Sequence, residues 1–271
     1  MKFAVEQGTI GDNSLAATIQ YCQDLGIEGV SVPWAMVPGN QEKGYIEAAA
    51  VKAIRAQIED AGLALASMVA WAPREIIAGD AKAKGLFDNL RRSMEAMAAA
   101  GSDTVIAFPP MNEESQWPQA AGFYGKFAEV GEQCKVRIAN HPHGILKTYK
   151  AMTRMMDAGP SPYNGICFCT GNVWHGEGEK MYDVLRQLKD KLFFVHIRQV
   201  KTGMGEKEYW LDQGDIDIPR VVQILKEIGY TGYMRSEHLP TDRYRAYTPT
   251  TRGVSDVSSA WVMGYLRAVM Q

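Results

Sequence analysis

The chain has no long apolar run. Its hydrophobic stretches fall well short of the roughly 20 residues a membrane-spanning helix requires, so no membrane partner is expected. An excess of one charge is also missing. Twenty-nine Lys and Arg against 31 Asp and Glu leave a formal charge of −2. That balance gives no basic stripe for a nucleic acid. Cysteine is scarce: Cys22, Cys134, Cys167 and Cys169 are the four present, and their spacing is neither a disulfide framework nor a C-x-x-C motif. The opening "MKFAVEQG" enters a strand-like run with no secretory h-region. A reducing cytoplasm is the setting these features suggest. Glycine-rich dinucleotide fingerprints are absent, because "EQGTIGDNS" carries two glycines at the wrong spacing. There is no Ser-His-Asp arrangement, Pro/Ser-rich linker or block of like charge. At 271 residues, folding buries roughly three quarters of the unfolded surface, enough for a core without staples.

What is present is alternation. Eight β-rich runs are expected to be strands, at 3–7, 29–34, 64–71, 104–109, 136–141, 165–170, 192–197 and 233–238. Apolar residues at helical spacing follow them, as in Leu15, Ile19, Cys22 and Leu25, or Leu86, Leu90, Met94 and Met97. "DLGIEG", "DAGLA", "AAGSD" and "EIGYTG" place Gly just past the last periodic residue. Strands alternating with helices imply parallel strands joined by right-handed crossovers. Eight units in about 250 residues fit one (β/α)8 TIM barrel over 1–271, with an open doubly wound sheet as the rival. Residues 109–119 and 201–215 read as long loops after strands four and seven. Such loops sit on the C-terminal face of a barrel, where its chemistry is built.

Four successive late strands end in a metal-ligand type: His141, Cys169, His196 and Glu237. Singly, each has a plainer reading, as a hydrogen-bonded histidine, a small apolar filler or a solvated carboxylate. Jointly they form a borderline-soft donor set suited to one first-row divalent ion. Cys167 is read as filler packed into the helix layer. His143, two residues past His141, faces either the mouth or solvent. His175 is a weaker candidate, and His238 offers an acid–base group beside Glu237. Arg198 and Arg235 share a strand face with neighbouring ligand candidates. Each either binds a substrate carboxylate or phosphate or forms a structural ion pair. Trp34 and Trp71 end strands two and three and are expected to wall a small-molecule pocket. Met94, Met97, Met152, Met155 and Met156 are helix packing.

"NHPHG" (140–144), "FCTGN" (168–172), "HIRQV" (196–200) and "MRSEH" (234–238) resemble the mannonate dehydratases of the xylose-isomerase-like barrel superfamily, as do "SLAATIQYCQDLGIEGV" and "IEDAGLALASMV". The resemblance implies His141, Cys169, His196 and Glu237 as metal ligands, Mn2+ as the ion, Arg198 as the holder of a substrate carboxylate and His238 as the acid–base group. It departs from the family at Glu237 and His143, each in place of an aspartate, and at Ser236 in place of a proline. A family tyrosine falls at Val254. The expected activity is metal-dependent dehydration of a sugar acid to a 2-keto-3-deoxy acid. A sugar isomerase or epimerase, and an inactive sugar-acid-binding barrel, are the alternatives. The expected partner is a small-molecule sugar acid or sugar, and a homo-oligomer is expected.

Overall fold

The computed structural model describes residues 1–9, 13–205, 207–238 and 256–271. The chain runs β1 (Lys2–Glu6), α1 (Leu15–Leu25), β2 (Gly29–Pro33), α2 (Asn40–Lys43), α3 (Ala48–Asp60), β3 (Ala64–Trp71), α4 (Ala81–Ala99) and β4 (Thr104–Phe108). It continues through α5 (Trp117–Cys134), β5 (Arg137–Asn140), α6 (Tyr149–Ala158), β6 (Asn164–Cys169), α7 (Thr170–Glu177) and α8 (Met181–Gln187). The remaining elements are β7 (Leu192–Ile197), α9 (Ile218–Glu227), β8 (Tyr233–Ser236) and α10 (Asp256–Met270). Each strand pairs in parallel with its sequence neighbour, and β8 pairs with β1, closing the eight into a barrel. The rival open sheet is thereby excluded.

Local chemistry accounts for the element ends. Ser14, Asp80, Thr148 and Asp217 each accept a hydrogen bond from the backbone N–H three residues on, capping α1, α4, α6 and α9. The four expected stop glycines, Gly26, Gly62, Gly101 and Gly229, all have positive φ, where L side chains are strained. Strands β3 and β7 keep the expected bounds, while β5 and β8 end one and two residues early. His141 and Glu237 nevertheless continue the ladder, since their N–H groups donate to Ala107 and Ile197 at 2.9 and 3.0 Å. Part of the 109–119 loop is helical: Glu113 and Gln116 form a reciprocal capping box that leads into α5, with Pro118 in its first turn.

The core has two layers. The larger joins the outer strand face to the helices. It holds Leu90, Met94 and Met97 of α4, Met152 and Met155 of α6, and Ile166 and Phe168 of β6. The smaller draws only on strand residues and fills the barrel: Ala4, Ala66, Val69, Ile106, Phe108, Ala139, Cys167 and Phe194. Cys167 therefore faces inward, not into the helix layer. Residues two apart on a strand share a face, so it stands on the side of Cys169, and Ile166 and Phe168 take the helix side.

Candidate metal centre

Strand pairing sets the centre. Cys169 is opposite His196 in the β6–β7 ladder, and His196 is opposite Arg235 in the β7–β8 ladder. With His141 and Glu237 pinned one residue beyond β5 and β8, His141, Cys169 and Glu237 come together, and His196 joins them through His141 and Glu237. His141 Nε2 lies 3.1 Å from His196 Nδ1 and 3.2 Å from Glu237 Oε1. His196 Nδ1 is 3.4 Å from Glu237 Oε1, and the Cys169 thiol donates to Glu237 Oε2 at 2.8 Å. None of the four is more than 4% exposed. One ligand atom each from His141, Cys169 and Glu237 falls within a mutual 4.8 Å, and the same holds for His141, Cys167 and His196.

This arrangement fits a small divalent cation. Bonds of 2.0–2.2 Å in a tetrahedron put N and O ligand atoms about 3.4 Å apart, close to the spacings here. His141 Nδ1 is buried with no hydrogen-bond partner among the described residues. Arg235 Nε donates to His196 Nε2 at 3.0 Å. A guanidinium only donates, so Nε2 accepts and the neutral ring carries its proton on Nδ1, the nitrogen turned to His141 and Glu237; a cation held at Nδ1 would have to take that proton's place. Burial, then the Arg235 charge, lowers His196 to about 3, so the ring is neutral, as a ligand must be. Burial pushes the Glu237 carboxyl up, but His141 and His196 outweigh it and hold it well below the usual carboxylate range. Burial and the Glu237 charge push the Cys169 thiol well up. Cys169 therefore keeps its proton until a cation replaces it.

The two arginines are engaged within the protein. Arg198 is buried and grips Glu208 with a two-pronged fork: Nε donates to Oε2 at 2.9 Å and an Nη2 N–H donates to Oε1. Its Nη1 donates to Asn172 Oδ1 at 3.0 Å. Of the two readings open for Arg198, the structure displays the ion pair. Arg235 also pairs internally, with Glu6 at 2.9 Å, besides orienting His196. Glu208 lies in the 201–215 loop, which Gln199 folds back: its side chain donates to the Leu211 and Ile216 carbonyls and accepts from Ile216 N–H.

The segment Cys169-Thr170-Gly171-Asn172 works as a unit. Thr170 Oγ1 donates to the Arg198 carbonyl and accepts from the Arg198 N–H. A Cβ at Gly171 would lie 2.7 Å from Arg198 Cδ, so only glycine admits the arginine stem. Asn172 then holds the guanidinium. One short motif supplies a sulfur donor and a cradle for the neighbouring strand's arginine.

Aromatic rings wall one side. Trp71 stacks on Phe108 at 3.7 Å between centroids, and Phe108 lies 4.4 Å from the His141 ring. His143 meets both rings edge-on and is exposed. Trp71 is 67% exposed, an open flat face of the kind that binds sugar rings. Trp34 is half-buried in the turn after β2, and its indole N–H has no partner among the described residues. His238 adopts a left-handed backbone, φ 48°, with a half-exposed side chain whose Nε2 is 3.7 Å from Glu237 Oε1. His175 is exposed on α7, and none of the close donor contacts of the centre involves it. Gly253 and Val254 lie outside the described residues.

A family model described as a xylose isomerase-like TIM barrel matches residues 19–251. The chain belongs to that family. In sequence it is similar to mannonate dehydratase 1 of Halalkalibacterium halodurans, 26% identical over 146 residues, covering 49% of this chain and 40% of that protein. It is likewise similar to the mannonate dehydratase of Thermotoga maritima, 28% identical over 153 residues, covering 50% and 42%. The matches thus span about two fifths of those relatives' length. Among solved structures, a mannonate dehydratase from Streptococcus suis serotype 2 superimposes with TM-score 0.81 at 19% identity, covering 100% of this chain and 94% of the other. A D-psicose 3-epimerase from Clostridium cellulolyticum H10 gives 0.75 at 13% identity, covering 100% of both. These superpositions establish the shared barrel. No helix among the described residues is long and apolar enough to cross a membrane.

Proposed function

We propose that the chain is a metal-dependent hydro-lyase that dehydrates a sugar acid such as mannonate to a 2-keto-3-deoxy acid. The observation that carries this reading is the convergence of His141, Cys169, His196 and Glu237, a thiol-containing donor set, on the barrel's C-terminal mouth. Sequence similarity to mannonate dehydratases supports it. A divalent ion held there supplies Lewis-acid polarisation of a substrate oxygen. The remaining work falls to the chain. The α-hydrogen leaves as a proton and the β-hydroxyl leaves as water, so one group must accept and return a proton. His238, at the open edge of the centre, is that group. Trp71, backed by Phe108, seats the sugar carbons, with His143 along their edge. Arg198 keeps N–H donors beyond those given to Glu208 and Asn172, and it orients the substrate carboxylate with these.

A second reading has its own observation. The bidentate Arg198–Glu208 pair already neutralises the cation expected to hold a carboxylate. A neutral aldose or ketose suits such a centre, which favours isomerase or epimerase chemistry. Incubating the metal-loaded protein with sugar acids and with neutral sugars decides between the two. Formation of a 2-keto-3-deoxy acid supports dehydration. Turnover confined to neutral sugars overturns it in favour of the second reading.

A further inference from the structure

We propose that Cys167 is a second sulfur ligand of this centre, and that the ion the chain retains is thiophilic, of the zinc and cobalt class. The inference rests on the metal reading of the centre and adds a residue and a selectivity to it.

Position is the first argument. Cys167 precedes Cys169 by two residues on β6 and shares its inward face. The β6–β7 pairing shifts register between Ile166 and Cys167, and Cys167 then stands opposite Phe194, one layer below the Cys169–His196 pair. From that layer its sulfur comes within 4.8 Å of a ring nitrogen of both His141 and His196. The two donor triads share His141, and under this proposal both hold one ion.

The chamber is the second argument. Cys167 is fully buried, with Ala4, Ile106, Ala139 and Phe194 for company inside the barrel. Those side chains offer no oxygen. A thiol that merely fills space packs as a small hydrophobe and needs no imidazole nearby, yet two converge here. His141 Nδ1 is also buried, with no hydrogen-bond partner among the described residues.

Donor chemistry is the third. Two sulfurs, two imidazoles and one carboxylate form a soft to borderline set. Thiolates favour zinc and its soft neighbours, whereas manganese stands at the weak end of the divalent series and suits oxygen ligands. Each thiol gives up its proton to solvent on binding, and no electron changes hands.

The test uses full-length protein, reduced and stripped with chelator. Zinc-loaded parent is examined by X-ray absorption, where two sulfurs in the zinc shell are expected. Cobalt-loaded parent, Cys167→Ala, Cys167→Ser, Cys169→Ser and the Cys167→Ser/Cys169→Ser double variant are compared by thiolate-to-cobalt absorption in the near ultraviolet. Each single variant is expected to keep about half the parent intensity, and the double variant almost none. Manganese at about a hundred-fold excess is expected to leave bound zinc in place. One sulfur in the zinc shell, or full cobalt–sulfur intensity in Cys167→Ala, overturns the role of Cys167 and leaves the metal centre standing. Displacement of zinc by manganese overturns the selectivity. A parent that takes up neither zinc nor cobalt overturns the metal reading itself. The absorption measurement on the parent needs no variant to fold.

Discussion

The Cys169 sulfur lies 2.8 Å from Glu237 Oε2 and donates its proton to that carboxylate. The pair is a proton-bearing stand-in for a metal–ligand contact. A cation entering between them must displace the proton, because the thiolate is the ligand. Metal binding is therefore expected to release at least one proton. Titration calorimetry in buffers of different ionisation enthalpy measures that number. Cys169→Asn, whose side chain has no titratable proton, is expected to release about one proton fewer than the parent. Equal release in both proteins would place the displaced proton elsewhere.

Glu208 holds Arg198 in a buried bidentate pair, with side chains 3% and 9% exposed. Removing one partner of such a pair strands a buried charge, which costs about 3–5 kcal/mol. Glu208→Gln is expected to lose stability of that order in urea unfolding. It also frees the fork, so the folded variant is expected to bind a carboxylate-bearing sugar more tightly relative to a neutral one. Unchanged stability would mean that the pair contributes nothing net.

His196 binds a proton near pH 6.5 once unfolded, whereas burial and Arg235 lower it to about 3 in the fold. Between these values the unfolded chain takes up a proton that the folded chain refuses. The stability contribution is thus complete above about pH 6.5 and is lost progressively as pH falls toward 3, by several kcal/mol in order of magnitude. Melting in the presence of chelator, from neutral to acid pH, reads this out. His196→Gln keeps an acceptor for Arg235 but does not titrate, and it is expected to flatten the acid limb.

The barrel was legible because each unit repeats the same signals, and these agree with one another. "DLGIEG" stops a helix at Gly26, and the next strand begins at Gly29. Strand-end chemistry was legible for a similar reason: parallel neighbours bring consecutive strand ends together, so His141, Cys169, His196 and Glu237 could be grouped before any distance was known. Glu208 was not legible. It reaches Arg198 only because Gln199 folds the 201–215 loop back through three hydrogen bonds, and no local periodicity encodes that. Cys167 was within reach of the rule that residues two apart share a face. That rule, applied to Cys169, would have placed it inside the barrel.

His238 sits where the chain turns out of β8, with φ at 48° and its imidazole half exposed. Most residues resist that backbone, but asparagine tolerates it well. His238→Asn therefore removes the proton carrier without adding backbone strain and keeps a polar side chain beside Glu237. Under the acid–base role, turnover is expected to fall by about 10²- to 10⁴-fold, with metal content and melting temperature near the parent's. His238→Ala serves as the contrast. It removes the same imidazole but places a residue that disfavours positive φ, so it is expected to lose stability as well as turnover. If the asparagine variant turns over at the parental rate, the proton is carried by another group, and His143, exposed beside Trp71 and Phe108, is the next to replace.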